Sequence, residues 1–147
     1  MNAIVPSRLL KTAFVLDAAG SGAIAALHLL LPAPLHDALG LPTSVLTGTG
    51  LFLAAYAAML VVLARSGAVW SALVRFVIAG NLGWVAASVL LPVTGTLPAT
   101  TPGAIYIALQ AGAVLFFAVL QWRGLARSMP AQGVVARKAD VMAGHVQ

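Results

Sequence analysis

Three side chains able to do chemistry fall at one depth within otherwise apolar stretches: Asp17, Tyr56 and Arg75. Counted at 1.5 Å per helical residue, Asp17 is about 12 Å beyond Leu9, Tyr56 about 14 Å from Arg65, and Arg75 about 10 Å beyond Ala68. A charge near the middle of a bilayer costs about 2.5–3.5 kcal/mol on insertion scales, so it takes a partner or a wet cavity. The matched depth predicts an Asp17–Arg75 ion pair inside a helix bundle, with Tyr56 as its hydroxyl partner. Three readings of this constellation stand side by side. The pair is a clamp that fixes helix register; or Arg75 reaches out to lipid headgroups and leaves Asp17 protonated or hydrated; or the carboxylate answers to a proton or an anionic ligand.

A second polar layer lies deeper. Asn81 and Gln110 both fall about 18–20 Å from the same side. Amides at matched depth on neighbouring helices can bond each other, and such bonds average about 0.6 kcal/mol in one membrane protein. They are read as interhelical glue, with a substrate-lining role as the alternative.

Little else in the chain carries chemistry. His28 is near the outer end of the first apolar stretch, His36 is in a loop and His145 is in the tail, so they do not form a metal-ligand set. There is no cysteine, which removes disulfide exchange, thiolate metal sites and Cys nucleophiles. G-x-S-x-G, H-E-x-x-H, P-loop and dinucleotide fingerprints are all lacking. No Lys lies in the middle of an apolar stretch, which argues against a retinal Schiff base. No catalytic residue, metal or cofactor is therefore expected.

The elements that must position these residues are four apolar stretches, about 9–31, 44–64, 68–91 and 102–122. Each is close to the 20 residues that a helix needs to cross a bilayer core. The connections 32–43 and 92–103 contain no Lys or Arg. Cytoplasmic loops retain the basic residues, so the pattern predicts four crossings with both termini in the cytoplasm. Arg65-Ser66-Gly67 is a short turn, which predicts that the second and third spans are antiparallel neighbours. Pro32 and Pro34 end the first helix, and Thr101-Pro102 starts the fourth. The expected fold is all-α: a polytopic membrane four-helix bundle over residues 1–128, with a flexible basic cytoplasmic tail over 129–147.

Composition agrees. Apolar residues make up 61% of the chain and charged residues 7%, against about 25% charged in soluble domains. Mean hydropathy is +1.02. The net charge of +5 is read as setting orientation and attracting anionic headgroups rather than nucleic acid. A cleaved leader is not expected, because Asp17 and Gly20-Ser21-Gly22 interrupt the first apolar run. Small residues recur at intervals of four, at Ala18, Gly22 and Ala26, at Ala54 and Ala58, and at Ala79, Gly83 and Ala87, which predicts close helix packing. Abundant Ala, Gly, Leu and Arg are compatible with a GC-rich bacterial genome.

The segments Leu16-Asp17-Ala18-Ala19-Gly20-Ser21-Gly22, Asn81-Leu82-Gly83-Trp84 and Gln110-Ala111-Gly112 resemble those of small bacterial four-span proteins of the DoxX-like kind. The resemblance covers residues 8–127. It implies an all-helical bundle and carries over no catalytic residue. The functional expectation is a multi-pass protein of the cytoplasmic (inner) membrane, structural or accessory to a larger assembly. The alternative is a small oligomeric transporter using Asp17 and Arg75. Expected partners are the lipid bilayer and a homo-oligomer or membrane complex.

Overall fold

Four long helices and one short one follow from the apolar runs and their breakers. The computed structural model describes residues 2–132. In chain order the elements are β1 (Ala3–Val5), α1 (Arg8–Leu30), α2 (Pro32–Leu39), α3 (Thr43–Arg65), β2 (Val69–Trp70), α4 (Ser71–Val93), α5 (Thr101–Ala126) and β3 (Met129–Pro130). α1, α3, α4 and α5 are each long and apolar enough to cross a membrane. Ser7 caps α1 by accepting from Leu10 N at 3.2 Å. Thr100, one residue before the expected cap, closes the start of α5 by accepting from Gly103 N. Pro32 is the first residue of α2, where a missing N–H costs nothing.

Nothing in the sequence marks the small sheet. β1 lies between β2 and β3 and pairs antiparallel with both, matching Ile4 to Val69 and Val5 to Met129. Ile4 and Val69 are buried and join Leu10, Phe14, Leu60 and Val74 in one apolar core. The sheet gathers the starts of α1 and α4 with the ends of α3 and α5, so these helices alternate in direction. It also corrects two expected boundaries. The third span starts at Ser71 rather than residue 68, because Val69 and Trp70 are drawn into the sheet. The tail does not begin at 129, since Met129 and Pro130 are strand; residues 133–147, where the rest of that tail falls, lie outside the described residues.

Close backbone packing joins α1 to α3, α1 to α5, and α4 to α5. α1 is the central helix, and its inward stripe runs Leu10, Phe14, Asp17, Ser21, Ala25 and His28. α3 and α4, expected as antiparallel neighbours from their short connection, run antiparallel and meet through side chains. Phe52 stacks on Trp84 with centroids 5.9 Å apart, and Tyr56 bonds Asn81. Of the small-residue faces, only that of α1 is packed in part, with Ala18 buried and Gly22 against Ala57 of α3, while Ala26 is exposed. Ala79, Gly83 and Ala87 face outward, as do Ala54 and Ala58.

Gly124 shows how close α1 and α5 come. A Cβ on it would lie 2.6 Å from Leu10 Cα and 2.7 Å from Leu10 N. The same contact carries hydrogen bonds, with Ser7 Oγ donating to Gly124 O at 2.7 Å. At the opposite end, Thr100 N donates to Leu39 O at 2.9 Å, which ties α2 to the start of α5. Large apolar side chains such as Leu30, Val62, Phe76, Leu109 and Phe116 point outward. That inverts the soluble pattern and suits hydrocarbon surroundings.

Candidate functional site

Asp17 is 1% exposed and sits where all four long helices converge. Its Oδ1 accepts from Ser21 Oγ, one turn along α1, at 3.1 Å. Its Oδ2 accepts from Asn81 Nδ2 of α4 at 3.0 Å and from Gln121 Nε2 of α5 at 2.8 Å. The Tyr56 hydroxyl of α3 lies 3.0 Å from the same Oδ2 and 2.8 Å from Asn81 Oδ1. Asn81 Nδ2 also donates to Gln121 Oε1 at 3.1 Å. Among the described residues every buried side-chain nitrogen and oxygen has a partner. A buried carboxyl without such donors would cost several kcal/mol; here neutral groups supply them.

The expected ion pair is absent. Asp17 and Tyr56 come together, but Arg75 is exposed on α4 and is not among the partners of the carboxyl. The cause is the start of α4. Counted from Ser71, Arg75 is only about 6 Å into the helix, near enough to the end for its long side chain to reach water or headgroups. Asn81 moves the same way, to about 15 Å, which is level with Asp17 and Tyr56 at about 14 Å. The expected second layer therefore divides. Asn81 belongs to the Asp17 cluster, whereas Gln110 lies farther along α5, half-buried at the wall of a cleft.

The sequence sets Gln121 nearly in line with Gln110 on the last helix, one residue inside the expected end at Trp122, and does not join it to Asp17. α5 in fact continues to Ala126, which carries Gln121 about 8 Å inside the helix and leaves it fully buried. The signal in the sequence was the amide itself, in a run otherwise apolar from Ala111.

Beside the cluster, toward the α2 end, lies a laterally open cleft of about 770 Å³. Its walls are largely apolar and aromatic, with Phe52, Phe76, Trp84 and Phe117 among them. Ser21, Tyr56 and Asn81 line it too, and they separate it from Asp17. Beyond it, near the outer end of α1, His28 is buried within the bundle. Its Nδ1 is 2.8 Å from Thr49 Oγ1 and its Nε2 is 2.8 Å from the Tyr106 hydroxyl. Thr49 Oγ1 already donates to the backbone of α3, to Val45 O. Nδ1 therefore donates to Thr49, and in the neutral ring Nε2 accepts from Tyr106. Among the described residues no three metal-ligating side chains cluster.

Comparison with known proteins returns no match among family models, curated sequences or solved structures.

Proposed function

We propose that this chain is a multi-pass protein of a bacterial cytoplasmic membrane, with both chain ends in the cytoplasm, and that it serves as a non-enzymatic accessory to a membrane assembly. Orientation rests on charge. Arg8, Lys11, Arg65, Arg75, Arg123 and Arg127 all belong to the sheet end of the bundle, whereas the α2 end carries Asp37. Basic residues favour the cytoplasmic face. The connections between helices are short, which leaves little surface outside the spans for chemistry. The DoxX-like resemblance is kept as the family proposal, on the three sequence segments that carry it.

One observation carries the accessory reading. The carboxyl buried among the four long helices is fully engaged by its own bundle, and the groups that engage it come from each of those helices. Such a cluster fixes the register of the helices and presents a rigid outer surface. Affinity purification in a mild detergent tests this: a partner recovered in fixed stoichiometry supports it, and a chain recovered alone counts against it.

The cleft favours a second reading, a small oligomeric transporter. Tyr56 and Asn81 link its wall to Asp17, and Arg75 has no part in this version. Proton-linked uptake by vesicles containing only this chain, abolished by Asp17→Asn, would choose it over the accessory reading.

A further inference from the structure

The hydrogen bonds around Asp17 count its protons. Six polar contacts close the cluster: Ser21–Asp17, Tyr56–Asp17, Tyr56–Asn81, Asn81–Asp17, Asn81–Gln121 and Gln121–Asp17. Each contact needs one hydrogen between its two heavy atoms. The Ser21 hydroxyl supplies one, the Asn81 amide two, the Gln121 amide one and the Tyr56 hydroxyl one, so five are available for six contacts.

The shortfall is at Tyr56, whose single proton faces two oxygens. If it goes to Asp17 Oδ2, the phenol oxygen and Asn81 Oδ1 meet bare at 2.8 Å. If it goes to Asn81, the phenol oxygen meets a carboxylate oxygen at 3.0 Å with nothing between. Turning the Asn81 amide over does not help, since its oxygen would then face both Asp17 Oδ2 and Gln121 Oε1.

We infer that Asp17 is a proton-binding site and that its carboxyl carries the missing hydrogen on Oδ2. The acid O–H donates to Tyr56, and Tyr56 donates to Asn81 Oδ1. The acid oxygen keeps lone pairs for the N–H groups of Asn81 and Gln121, and Oδ1 accepts from Ser21. All six contacts then hold one hydrogen each. No Lys, Arg or His contributes to the cluster, so no cation on α1, α3, α4 or α5 compensates an ionised form. Tyr56 is the single titratable side chain among the partners. The bound proton completes the tie between α3 and α4, whose backbones do not pack closely.

The inference concerns the same carboxyl as the accessory reading but not what the bundle assembles with, so its test is separate from the purification. The chain has three acidic side chains, Asp17, Asp37 and Asp140. The Asp37→Asn/Asp140→Asn variant, labelled with ¹³C at the aspartate carboxyl and reconstituted in phosphatidylcholine vesicles, has Asp17 as its only labelled group. At neutral pH its ¹³C spectrum should show the protonated-acid signal alone. A carboxylate signal there overturns the inference. If the double variant does not fold, the labelled native chain answers the same question. One of its three signals should be of the acid type and should persist in both Asp37→Asn and Asp140→Asn; three carboxylate signals, or loss of the acid signal in either variant, overturn the inference.

Discussion

Gln121 Nε2 donates to Asp17 Oδ2 over 2.8 Å, joining the last turns of α5 to the middle of α1 across 104 positions of chain. Both side chains are shut off from solvent, at 0% and 1% exposure. The contact is therefore made wholly within the bundle, and its loss leaves groups that water cannot satisfy.

Gln121→Leu removes this donor and also takes the acceptor from Asn81 Nδ2. A buried polar group left unsatisfied costs about 1–3 kcal/mol, so thermal unfolding in detergent should shift down clearly. Gln110→Leu, at the half-buried cleft wall, should stay within about 0.5 kcal/mol of the native chain. Equal losses at the two positions would refute the division of the second polar layer.

Gly124→Ala places a methyl group against the backbone of Leu10, which cannot give way without separating α1 from α5. Overpacking of this kind costs about 1–3 kcal/mol. Gly112→Ala, on the same helix with open space around it, should be neutral or stabilising by up to about 1 kcal/mol, the helix-propensity gain. Chemical denaturation of the two variants side by side reads the contrast.

Arg75→Gln and Asp17→Asn should not interact. Arg75 is outside the cluster, so the double variant should lose the sum of the single losses within about 0.5 kcal/mol. A coupling well above that in a double-mutant cycle would restore the ion pair expected from depth alone.

The proposed topology rests on the charge at the sheet end. A reporter active only in the cytoplasm should give signal when fused after Gln147 and none when inserted after Thr96. The reverse pattern would sink the proposed orientation.

The sequence was enough to read four long apolar helices, because helix length and apolar run are local properties and backbone groups in a bilayer would leave little alternative to helix. It also determined that Asp17 and Tyr56 share a depth, since both are counted from well-marked helix ends. Who meets whom came only with the long-range contacts. A two-residue strand at Val69–Trp70 has no readable pattern of its own, and it exists because Ala3–Val5 and Met129–Pro130 arrive from distant parts of the chain to pair beside it. That pairing shortens α4 at its start, which lifts Arg75 out of the core and brings Asn81 level with Asp17. The continuation of α5 past Trp122 brings Gln121 in as well. Depth along a helix is legible one residue at a time; the face that a residue turns to its neighbours depends on contacts from the whole chain, and those made the carboxyl a partner of amides and a phenol instead of an arginine.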